Sequence, residues 1–131
     1  MNKAVEFLKN CGTFYLATVE GDQPRVRPFG AVSEINGKVY ITTNNTKPVF
    51  KQMQANPKVE ISAFAADGKW IRIAGKAVAD PNREVKEAML KDNPSLSTMY
   101  SLDDGIFEVL YLDAATATIS SFAGAPEVFS F

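Results

Sequence analysis

Apolar and polar residues alternate at every second position over several short stretches of this chain, the period of half-buried β-strands. Residues 13–19 are rich in aromatic and β-branched side chains and read as a strand, with Glu20-Gly21-Asp22 as the turn that follows. Residues 25–35 and 38–44 flank Asn36-Gly37, a hairpin signal because both positions accept positive φ. Residues 58–65 and 69–79 flank a second such turn at Asp67-Gly68, and residues 106–112, 116–122 and 127–131 complete the strands.

Helical spacing appears three times. Residues 2–9 bring Val5, Phe7 and Leu8 towards one face before Asn10-Cys11-Gly12 ends the run. Residues 47–55 carry Val49, Phe50 and Met53, stopped by Asn56-Pro57 because proline disfavours α geometry in the residue before it. Asp80-Pro81-Asn82 opens a third helix to Leu90, with Val85, Ala88 and Met89 as its buried stripe, closed by Asp92-Asn93-Pro94 and followed by a helical piece at 96–100. Six or more short, mostly antiparallel strands among a few short helices predict an α+β, predominantly β fold, a barrel or sandwich.

With 131 residues, 46% of them hydrophobic, the chain is expected to form one domain over its whole length. Fourteen lysines and arginines against 15 acidic residues give a net charge of −1, so no global field draws nucleic acid or anionic lipid, and an oligonucleotide-binding barrel is a poor fit. Any anion site must be local. The single cysteine, Cys11, excludes an internal disulfide and points to a reducing, cytoplasmic setting. Lys3, Glu6 and Lys9 interrupt the first apolar stretch, which therefore lacks signal-peptide character, and no other stretch reaches membrane-spanning length. The chain has no histidine, which removes the commonest general base and metal ligand, so no metal site is expected and any catalysis is expected to come from a cofactor.

Three constellations can carry binding chemistry. In Arg25-Val26-Arg27-Pro28, strand alternation puts both guanidinium groups on one face about 7 Å apart. They fit a grip on a dianion and equally a pair of solvated charges on an edge strand, where Pro28 is at home. In Thr42-Thr43-Asn44-Asn45-Thr46-Lys47-Pro48, a strand ends in hydroxyl and amide side chains and a helix begins, with Thr46 as the expected N-cap. A lysine at a helix N-terminus costs about 0.3–1 kcal/mol unless an anion lies nearby, and Lys51, at i+4 from Lys47, is expected to reach the same side. Ordinary capping beside two solvated lysines fits as well. In residues 69–75, Ile71 and Ile73 face one way and Trp70 and Arg72 the other, so Trp70 lies outward at an interface or ligand wall, unless both faces are buried.

Taken in order, Arg25-Val26-Arg27-Pro28, Val39-Tyr40-Ile41-Thr42-Thr43, Lys47 through Asn56-Pro57, and Trp70-Ile71-Arg72-Ile73-Ala74-Gly75 resemble the pyridoxamine 5′-phosphate oxidase-like family of FMN-binding split β-barrels. The resemblance runs over residues 3–122 and is most specific at Asn56-Pro57-Lys58-Val59 and the Trp70–Gly75 segment. It implies a homodimer with FMN between the subunits. It also implies that Arg25, Arg27, Thr42, Thr43, Lys47 and Lys51 meet the ribityl chain and phosphate, that Gln52 is a further contact, and that Trp70 touches the flavin of the other subunit. Whether Lys47 or Lys51 meets the phosphate stays open, because the spacing to Asn56-Pro57 is longer than in the full-length oxidases.

The chain departs from the true oxidases in lacking their long C-terminal segment with its Arg and His substrate contacts, and from the nitroimidazole-reductase-like and haem-handling relatives in having no histidine. The resemblance thus implies an FMN-dependent oxidoreductase acting on another substrate, or a non-enzymatic FMN-binding electron carrier, flavin store or redox sensor. No residue is singled out as a catalytic acid or base.

Overall fold

The computed structural model describes residues 2–131. Helix α1 (Lys3–Cys11) starts where the Asn2 side chain accepts the Ala4 N–H at 2.8 Å, and Gly12, at φ 78°, ends it. Strands β1 (Phe14–Glu20) and β2 (Gln23–Phe29) form a hairpin, as do β3 (Val32–Ile35) and β4 (Lys38–Asn44) around Asn36-Gly37. Helix α2 (Pro48–Ala55) leads into β5 (Lys58–Phe64) and β6 (Trp70–Asp80); then come α3 (Arg83–Asp92), a 3₁₀ turn (Pro94–Thr98), β7 (Phe107–Ser120) and β8 (Glu127–Ser130).

Every strand joins one antiparallel sheet, in the order β2-β1-β5-β6-β7-β4-β3, with β8 pairing β7. Its two edges, β2 and β3, are consecutive in the chain and separated only by Gly30-Ala31. Three Cα–Cα steps reach at most about 11 Å, so the sheet must curl until its edges nearly meet. They meet without a ladder between them. This is the split barrel.

One cross-strand row of the inner face runs Arg27, Leu16, Ile61, Ile73, Ala117 and Phe129, and apart from its two ends it is buried and apolar. The outer row beside it runs Pro28, Tyr15, Ser62, Arg72, Thr118 and Val128. A second core lies outside the barrel wall, where Val85 and Met89 of α3 and Leu96 of the 3₁₀ turn cover Tyr40, Phe107 and Val109. Strand β4 is therefore buried on both faces, which accounts for its unbroken Val39-Tyr40-Ile41 run.

Four local expectations are corrected. Residues 25–35 are two strands at opposite sheet edges, because Gly30 breaks the ladder while the apolar alternation continues past it. The expected strands 106–112 and 116–122 are the single β7, bent where Ala114, at φ 50°, and Ala115 oppose the lone Gly75 in a bulge. Thr46 does not cap α2: its hydroxyl bonds Asn44 Oδ1, and Lys47 takes the N-cap position with no side-chain cap. In α3, Val85 and Met89 are buried but Ala88 only half so.

Candidate functional site

The seam between the sheet edges opens into a cleft of about 550 Å³, within the size range of small-molecule sites. Its walls are the Arg27–Ala31 stretch, the end of β4 at Thr42 and Thr43, Lys47, and the segment from Asp92 to Tyr100. The seam explains the location. A closed ladder would fill this space with strand-to-strand hydrogen bonds, and a two-residue link cannot.

Arg27 ends an apolar row, and its guanidinium finds only neutral partners there. Nη1 donates to the Leu16 carbonyl at 3.1 Å and to Thr18 Oγ1 at 2.8 Å, while Nη2 donates to Gln52 Oε1 at 2.7 Å. Thr18 Oγ1 donates in turn to Gln52 Oε1 at 2.5 Å. Burial, and then the neighbouring Arg25, hold the Arg27 guanidinium below its ordinary pKa, the mark of a cation that nothing close by neutralises. Lys47 stands at the start of α2, which has no side-chain cap; Pro48 carries no N–H and the Phe50 N–H is taken by the Lys47 carbonyl at 3.2 Å, which leaves the Val49 N–H for solvent or a ligand. The four salt bridges among the described residues involve neither Arg27 nor Lys47.

One carboxylate, Asp92, shares the cleft wall. It is already answered: Lys9 Nζ lies 2.8 Å from Asp92 Oδ2 and Ser33 donates to the same oxygen, and these bonds hold the Asp92 carboxyl below its usual range. The cleft thus combines two unmatched cations, two threonine hydroxyls and an apolar wall of Phe29, Leu96 and Met99. That set suits a ligand with an anionic end, hydroxyls and a planar ring, and FMN has all three.

Of the sequence-predicted residues, Arg27, Thr42, Thr43 and Lys47 converge here. Arg25 shares their face but turns away, its Nη2 3.0 Å from Glu20 Oε1. Lys51 does not reach the same side as Lys47; with Gln52 it lines a second cleft of about 530 Å³ bounded by Glu20 and Asn56. Gln52 touches the first cleft's chemistry through Arg27. Trp70 lies on the outer face, its ring stacked on Phe64 with centroids 6.4 Å apart and tilted against Phe122 at 5.0 Å.

Sequence reasoning missed Thr18, Asp92 and Tyr100, and gave Asn44 only as part of the polar end of its strand, without a role of its own. Thr18 looked like one more β-branched strand residue, yet it is 2% exposed and joins Arg27 to Gln52. The 3₁₀ turn was expected only as a helical piece, and nothing local says that it faces β4. Pro28 and Gly30, two punctuating residues inside one apparent strand, were the available signal for the seam.

A sequence model of the family described as pyridoxamine 5′-phosphate oxidase matches residues 1–118. A nimC/nimA family protein of Clostridium acetobutylicum is 61% identical, with all of this chain and 92% of that one superposed at a TM-score of 0.98. A pyridoxamine 5′-phosphate oxidase-related, FMN-binding protein of Nostoc punctiforme shares the fold at 14% identity and a TM-score of 0.65, covering 99% of this chain and 95% of that one. A haem-binding protein of Mycobacterium smegmatis shares it at 15% identity and a TM-score of 0.75, covering 99% of this chain and 59% of that one. No curated protein is similar in sequence. With 118 of its 131 residues matched, the chain belongs to the pyridoxamine 5′-phosphate oxidase family.

Proposed function

We propose that the chain is an FMN-binding oxidoreductase, acting as a cytoplasmic homodimer with the flavin at the subunit interface. The observation that carries this reading is the seam cleft with its two cations, Arg27 and Lys47, that no carboxylate neutralises. Arg27 and Lys47 hold the phosphate. Thr42 and Thr43 offer hydroxyls to the ribityl chain, and Phe29, Leu96 and Met99 keep water from the ring. Lys51, facing the second cleft, is the less suitable of the two lysines. The bound flavin supplies hydride and single-electron transfer.

The dimer is supported by the outer face of the sheet, where Phe64 is 63% and Phe122 88% exposed beside Trp70. Such a patch is costly to leave wet and marks an interaction surface. From that face Trp70 meets a flavin only across a dimer. The lone cysteine fits the reducing cytoplasm.

FMN titration of the purified protein tests the reading. Bound flavin is expected to show a quenched fluorescence and a shifted visible spectrum, with Arg27→Ala weakening affinity about 10- to 100-fold, the worth of hydrogen bonds to a charged group. Unquenched FMN at millimolar protein would remove the flavin from the function, and unchanged affinity in Arg27→Ala would remove the clamp. Turnover of reduced nicotinamide with an electron acceptor supports an enzyme; reversible one-electron cycling without turnover favours a carrier.

A further inference from the structure

Tyr100 lines the cleft two residues beyond the end of the 3₁₀ turn. Its ring is stacked on Phe107 with centroids 5.1 Å apart, and its backbone N–H is held by the Leu96 carbonyl at 2.9 Å, so the phenol is fixed in place. Its hydroxyl accepts from Asn44 Nδ2 at 3.1 Å.

The orientation of the Asn44 amide decides what the phenol does. Asn44 Oδ1 accepts the Thr46 N–H at 3.0 Å and the Thr46 hydroxyl as well. The oxygen of the amide is committed to that turn, so the NH₂ group must face Tyr100. A phenol that accepts from an NH₂ group keeps its own proton to give. No acceptor for that proton exists among the described hydrogen bonds, and the residue lines the cleft. The same Asn44 accepts the Lys47 N–H on its carbonyl at 3.2 Å, which ties the residue that holds the phenol to the start of α2, and Lys47 lines the same cleft.

We propose that Tyr100, oriented by Asn44, is a neutral hydrogen-bond donor to the phosphate held by Lys47, and that it makes the cleft select a phosphorylated flavin over an unphosphorylated one. This rests on the flavin reading above. A phenol adds a directed donor without further positive charge, and a bond from it to a dianion is of the charge-assisted kind. Asn44 is a positioning residue: it touches no ligand and sets the direction of the Tyr100 proton.

The test is Tyr100→Phe, which removes one oxygen and keeps the stack on Phe107, with FMN and riboflavin titrated by fluorescence quenching. FMN affinity is expected to fall about tenfold or more and riboflavin affinity to stay unchanged. The ³¹P resonance of bound FMN is expected to move in the variant, a readout independent of riboflavin affinity. Asn44→Ala, checked for folding by far-UV circular dichroism, is expected to reproduce a smaller loss confined to FMN. Equal losses for both flavins, or no loss with an unmoved ³¹P resonance, would overturn the proposal while leaving the flavin site standing. A wild-type protein that binds neither flavin overturns the flavin reading itself.

Discussion

A guanidinium and a carboxylate line one cleft here and have opposite needs. Arg27 is held by neutral acceptors and keeps its charge for a ligand, whereas Asp92 spends its charge on Lys9 and Ser33. Asp92 also lies in the last turn of α3, where the helix dipole disfavours a negative charge, so Lys9 repairs a local conflict. Its folded pKa is lowered, first by the Lys9 bond and then by Ser33. A lowered carboxyl pKa contributes stability that is present above the unfolded value of about 3.9 and lost as the pH falls through the folded one. Because the Asp92 side chain is 44% exposed, the contribution is expected to be under about 1 kcal/mol. Urea unfolding of Asp92→Asn is expected to show a lower midpoint than wild type at pH 7, with the gap closing below about pH 4. A gap that does not narrow at all as the pH falls from about 4 towards about 2 would mean that Asp92 stabilises by something other than its charge.

Elements were readable from the sequence where face and partner coincide. Residues 38–44 were bounded correctly because an Asn-Gly turn starts the strand and its polar end precedes a Pro-started helix. The outward direction of Trp70 followed from alternation with Ile71 and Ile73, which are 0% and 1% exposed. The β2–β3 break was hidden for a physical reason: alternation reports which face a residue takes and not which strand it pairs with, so a chain that leaves one sheet edge and joins the other keeps its pattern. The same blindness hid Tyr100, whose neighbour Asn44 lies 56 positions away in sequence. The bend in β7 was read as a gap because one extra residue shifts the alternation. At that bulge a Cβ on Gly75 would lie 3.1 Å from both the Ala115 Cβ and the Asp113 carbonyl oxygen. Gly75→Val is therefore expected to cost about 1–3 kcal/mol, read as a lower urea midpoint at unchanged m-value. A variant of wild-type stability would show that β7 can shift its register to make room.

Over the whole molecule, the barrel has two uses of its faces. The inner face packs a core that ends in Arg27 at the seam, and α3 with the 3₁₀ turn covers the outside of β4 and β7. What remains outside is the β1-β5-β6-β7-β8 surface with Tyr15, Phe64, Trp70, Phe122 and Val128, apolar groups that add nothing to the folding of one chain while wet. If this surface is where two copies meet, Phe64 is the informative position. It is 63% exposed and stacked on Trp70, so a charge there leaves the core untouched. Phe64→Asp is expected to keep the far-UV spectrum and most of the thermal stability of the isolated subunit, and to convert dimer to monomer in sedimentation equilibrium, because two like charges would meet across a desolvated patch. FMN affinity is expected to fall with the dimer, since Trp70 would lose its access to the partner's flavin. A monomeric variant that binds FMN as tightly as wild type would confine the whole site to one chain's seam, and a variant that stays dimeric would move the subunit contact to another face.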